Sequence, residues 1–152
     1  MQLFSGTLTN ILKFQRLAIN SKDASESAIF SPEDAIEIRV SGESKENLPD
    51  FRITIAIFRD GIRLFSQHDI QKPGLMPKGT FESKTHIPPG ILRPGEYSVA
   101  FGGYRDGMTE WIWGTDIGFF WISEEWGERN EQSNHGLINI PFNGTRTCFP
   151  GK

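Results

Sequence analysis

The chain has one cysteine, Cys148, among 152 residues, so it has no internal disulfide. At this length a disulfide-free chain points to a reducing, cytoplasmic setting. No run of about 18 apolar residues occurs, which excludes a transmembrane helix. Asn10, Lys13, Gln15 and Arg16 interrupt any apolar core of a signal peptide, so no secretion signal is expected. The 16 Lys and Arg residues form no run or stripe and are outnumbered by 19 Asp and Glu, for a net charge of −3. That excludes the electrostatic footprint of a nucleic-acid or anionic-membrane binder. Phosphate-binding Gly-rich loops, G-x-S-x-G elbows and H-E-x-x-H pairs are all missing. His68, His86 and His135 lie in three separate segments, and none stands beside a cysteine pair, so no zinc site is expected. The acidic group Glu124, Glu125, Glu128 and Glu131 lacks the alternation and central glycine of a calcium loop and reads as a solvated face. Cys148 sits in a Gly/Pro-rich tail with no base placed to activate it. The chain is therefore expected to have no catalytic residue, metal or cofactor.

Amphipathic helices are missing too; the dominant period is two. In 35–41, Ile36, Ile38 and Val40 share one face, and in 51–58 Phe51, Ile53, Ile55 and Ile57 do. Arg59-Asp60-Gly61 then leads into 62–65, the Asp-Gly hairpin signal. Residues 80–87 alternate around Phe81, Ser83, Thr85 and Ile87, and 96–104 buries Tyr97, Val99 and Phe101. A second turn, Arg105-Asp106-Gly107, leads to strands at 109–114 and 117–122, the latter turning Phe120 and Ile122 inward. Segments 7–14 and 137–142 read as first and last strands, with Pro141 marking an edge. The stretches 20–34 and 123–136 are polar connections. About eight or nine short strands with frequent turns predict an antiparallel β-sandwich of jelly-roll or immunoglobulin-like type. It forms one domain over 1–152, with a body at 7–142 and a tail at 143–152.

The outward faces carry the functional signal. Ile117, Phe119 and Trp121 oppose the inward face of their strand, and Trp111 and Trp113 oppose Ile112. Either a thick core takes these rings or they form an exposed platform. The outward residues of 51–58 are Arg52, Thr54 and Ala56, and those of 96–102 are Ser98, Ala100 and Gly102. Small residues beside aromatic walls make a shallow trough, unless the face is plain solvent-facing sheet. Flat rings suit the C–H faces of pyranoses, and Arg, Ser and Thr pair with their hydroxyls. The candidate glycan-binding residues are therefore Arg52, Thr54, Ser98, Trp111, Trp113 and Trp121.

These segments resemble a known family. They are E-D-A-I-E-I-R-V at 33–40, L-P-D-F-R-I-T-I-A-I-F-R-D-G-I-R-L-F at 48–65, and a loop with Pro73 and Gly74. They continue with I-L-R-P-G-E-Y-S-V at 91–99 and a Trp-containing strand ending in F-x-I at 120–122. Over roughly 7–142 the chain resembles the C-terminal domain of Wzt, the ATPase subunit of polysaccharide ABC transporters. The resemblance implies a non-catalytic β-sandwich that binds O-antigen polysaccharide, carried on undecaprenyl, at the cytoplasmic face of the inner membrane. It further implies a homodimer that confers substrate specificity alongside ATPase and permease domains, with no direct membrane insertion. The ATPase domain of that family is not in this sequence, and the family supplies no binding-residue motif, so the site residues rest on alternation alone. The alternatives are a lectin or carbohydrate-binding module of another, secreted context, a protein–protein or virion-type sandwich module, and an enzyme.

Overall fold

Alternating Ile, Val and Phe residues suit a pleated, half-buried surface, and long strands form where such segments occur, among eleven strands in the described residues. The structure, a computed structural model, describes residues 4–23, 28–105, 107, 109–124 and 144–148. In chain order the strands are β1 (Phe4–Ser5), β2 (Leu12–Ile19), β3 (Lys22–Asp23), β4 (Ile29–Phe30), β5 (Ile36–Ser44) and β6 (Leu48–Arg59). They continue with β7 (Ile62–His68), β8 (Gly74–Met76), β9 (Gly79–Ile87), β10 (Gly95–Arg105) and β11 (Glu110–Ile122). A seven-stranded sheet runs β1-β11-β10-β6-β7, with β4 added to β11 and β8 to β6; a four-stranded sheet runs β3-β2-β5-β9. All pairings are antiparallel except β4 on β11. This is the expected β-sandwich.

The inward residues of both sheets fill the space between them. Leu17, Ile53, Ile57, Val99, Phe101 and Phe120 are fully buried. Phe14 of β2 and Phe101 of β10 meet edge to face at 4.9 Å, and Phe4 lies 4.8 Å from Phe14, tying one sheet to the other through rings. Burial raises the pKa of the Tyr97 phenol, whose hydroxyl donates to the Arg93 carbonyl at 2.5 Å. The Asp60-Gly61 hairpin forms, and β10 and β11 pair antiparallel as far as Arg105 and Glu110. Asp60 and Gly61 have φ of 52° and 76°, the left-handed pair that a two-residue turn needs, and Gly107 has φ 63°.

Several expectations are corrected. Residues 7–11 form a turn rather than strand, stapled by Leu12 N–H donating to the Leu8 carbonyl; the strand starts at Leu12 and runs to Ile19. A register shift between Phe14 and Arg16 ends the alternation there. The strands read at 109–114 and 117–122 are one, β11. Opposite Val99 and Phe101 of β10 stand Gly118 and Gly114 of β11, so the extra residues bulge out, with Asp116 at φ 52°. The connection 20–34 contains β3 and β4. Of the expected core, Phe81 is only partly buried, because β9 is the outer strand of its sheet. Segment 137–142, His135, Asp106 and the acidic residues Glu125, Glu128 and Glu131 lie outside the described residues.

Candidate functional site

The outward face of the seven-stranded sheet is built in rows across the strands. Arg52 of β6 faces Tyr104 of β10, which faces Trp111 of β11. The next row is His68 of β7, Thr54, Gly102 and Trp113. Beyond it come Ser66, Ala56 and Ala100. Small residues occupy the middle strands and large rings the β11 side, so the face is concave. A cavity of about 490 Å³ lies there, lined by Thr54, Arg63, Ser66, His68, Tyr104, Trp111 and Trp113, together with Gly103 and Ile112.

The two ends of the trough differ. Trp111 (39% exposed) and Tyr104 (38%) stand open to solvent at one. At the other, the Arg63 guanidinium from β7 lies 5.4 Å from the Phe58 ring and 5.5 Å from the Trp113 ring. Outward Ala56 and Ala100, on the strands between β7 and β11, are nevertheless fully buried. Gly102 is required by close approach. A Cβ there would stand 2.0 Å from the Ile112 carbonyl oxygen, which no side chain can occupy.

Polar groups of the floor are ordered. Thr54 Oγ1 and His68 Nδ1 are 2.7 Å apart, leaving Nε2 as the other polar atom of the ring. Desolvation lowers the His68 pKa, nearby Arg52 lowers it further, and Asp69 opposes them. The imidazole is therefore neutral at pH 7 and serves as a hydrogen-bonding group. Arg52 Nη1 donates to the Gln71 carbonyl at 2.7 Å, which fixes its guanidinium beside the trough.

Of the six residues expected from alternation, Thr54, Trp111 and Trp113 line the cavity and Arg52 flanks it. Ser98 and Trp121 share the face but not the place. Ser98 pairs with Phe119, four residues along β10 from Gly102 or about 13 Å, and Trp121 stands opposite Glu96 at the far end. Trp121 is 46% exposed and so is not a core ring. Sequence reasoning missed Tyr104, His68, Ser66 and Arg63. Tyr104 was within its reach, as it follows Gly102 by two. The others depend on β7 lying next to β6. Among the described residues no group of three or more His, Cys, Asp or Glu side chains could hold a metal ion, and no helix is long and apolar enough to cross a membrane.

Fold and site together define an all-β sandwich with an aromatic trough on one outer face. No protein-family model matches the chain, and no curated protein matches it in sequence. Among solved structures, the C-terminal domain of wzt has a similar fold, with a TM-score of 0.63 at 13% identity over 97% of this chain and 86% of that one. A Niemann-Pick type C2 protein from Japanese carpenter ant is similar with a TM-score of 0.54, at 13% identity over 79% of this chain and 98% of that one. The first likeness falls on the family that the sequence segments resemble, and at this identity it concerns the fold.

Proposed function

We propose that the outer-face trough is a sugar-binding site and that the chain is a non-catalytic glycan-recognition domain. The observation that carries this reading is the meeting of Trp111, Trp113 and Tyr104 with Thr54, Ser66 and His68 in one open cavity. Apolar ring faces and fixed neutral hydrogen-bonding groups are what a pyranose offers to bind: C–H faces on one side and hydroxyls around its rim. The sequence resemblance and the fold likeness support a narrower reading. The glycan is O-antigen polysaccharide on its undecaprenyl carrier, and the domain confers substrate specificity on an ABC exporter at the cytoplasmic face of the inner membrane, beside the ATPase and permease domains. Such a module works as a homodimer. Strands β7 and β9 end their sheets and offer pairing edges, and two sites on one dimer add avidity.

A single trough of this size binds in the millimolar to micromolar range, roughly −4 to −8 kcal/mol. Isothermal titration with O-antigen repeat-unit oligosaccharides tests the reading. Trp113→Ala is expected to weaken binding by about tenfold or more while the folded spectrum is retained. Unchanged affinity would remove the trough from the site.

A further inference from the structure

Among the described residues the trough is lined by arginine and histidine and by no carboxylate. Elsewhere arginines meet acids: Arg16 pairs with Asp23, Arg39 with Glu37, Arg59 with Asp60 and Arg105 with Glu110. Arg63 pairs with no carboxylate among the described residues. It is exposed, its Cζ lies over the Trp113 and Phe58 rings, and a ring face accepts none of its N–H groups in a conventional hydrogen bond, so they remain donors for an acceptor. Asp69, next in sequence to the trough residue His68, is already engaged. Its Oδ1 accepts from the Ile53 N–H at 2.9 Å, and its Oδ2 accepts from the Ser83 hydroxyl at 3.0 Å, on the side of the four-stranded sheet. Arg52 adds a second positive charge at the opposite end of the same face, and the neutral His68 lies between the two.

We propose that Arg63 makes the trough selective for a sugar that carries an anionic group, a uronic-acid carboxylate or a phosphate ester. A pyranose against Trp111 and Trp113 brings one substituent beside the guanidinium edge. There an oxyanion forms charge-assisted hydrogen bonds that a hydroxyl of the neutral sugar forms less strongly. The inference rests on the reading of the trough as a sugar site and narrows its ligand.

Titration of the whole chain with matched pairs tests it, followed by the indole signals in NMR. The probes are methyl glucoside against methyl glucuronide, methyl galactoside against methyl galacturonide, and glucose against glucose 6-phosphate. The uronides and the phosphate separate the two sources of the anion. The anionic member of at least one pair is expected to bind about five- to tenfold tighter. Arg63→Gln should abolish the preference, so that the anionic and neutral members of the pair bind the variant alike. On the unaltered chain, raising salt to about 0.5 M should shrink the preference and leave the neutral sugar unaffected. Equal affinities within every pair, or a preference that survives both Arg63→Gln and salt, overturn the inference while the sugar site stands. Binding of no member of any pair overturns both.

Discussion

The two sheets turn opposite kinds of surface to the outside. On the four-stranded sheet the outward residues of β5 and β9 include Glu37, Arg39, Glu82, Lys84 and His86. They meet one another in a lattice of contacts between 2.8 and 3.9 Å. Charges of both signs meet one another across these two strands. The seven-stranded sheet presents Trp111, Trp113, Tyr104, Phe119 and Trp121, with small residues between, and with Arg52 and Arg63, which pair with no carboxylate among the described residues. Both faces come from the same period-two pattern. What separates them is whether the outward side chains satisfy each other, and the face that leaves rings and donors open is the one we propose as the ligand face.

The core beneath both faces gives the largest effect. Ile55 is buried in β6 at the centre of the seven-stranded sheet. Ile55→Ala should destabilise the domain by about 2–5 kcal/mol in denaturant melts, degrading both faces together. A smaller effect separates the two ends of the aromatic face. Trp121→Ala should cost about 1 kcal/mol or less, because the ring is 46% exposed, and should leave sugar affinity unchanged. A core tryptophan would cost about 3–5 kcal/mol instead. The smallest effect concerns the charged face. The hydrogen bond from Arg39 is the largest cause holding the Glu37 carboxyl below its ordinary pKa of 4.5, against a smaller opposing desolvation. A lowered carboxylate pKa stabilises the fold above the unfolded value, and that contribution is lost as pH falls through the folded one. Arg39→Gln should return the Glu37 titration, followed by carbon-detected NMR, toward the ordinary range. Sugar binding should be unaffected.

Strand faces were readable wherever alternation ran unbroken. Ile36, Ile38 and Val40 in β5, and Ile53, Ile55 and Ile57 in β6, are buried as the pattern requires. The reading failed at bulges. In β2 the shift at Phe14 and Arg16 places the buried Leu17, Ala18 and Ile19 consecutively, and no period survives there. In β11 the bulge near Asp116 makes one strand look like two. The site was half legible for a related reason. Alternation assigns a side chain to a face and is silent on register, so it grouped Ser98 and Trp121 with Thr54 and Trp113. The structure places them about 13 Å and about 20 Å along their strands from the trough. Arg63 meets Trp113 only because the sheet order β11-β10-β6-β7 lets β7 reach over two intervening strands, and no local pattern encodes that order.

The central claim is that sugar binds at Trp111 and Trp113 and not at the other end of the same face. The most direct measurement follows the indole N–H signals, assigned by single Trp→Phe substitutions, during addition of an O-antigen repeat-unit oligosaccharide. The account predicts progressive, saturable shifts of Trp111 and Trp113 while Trp121 stays in place. Shifts of Trp121 with Trp111 and Trp113 unmoved would contradict it.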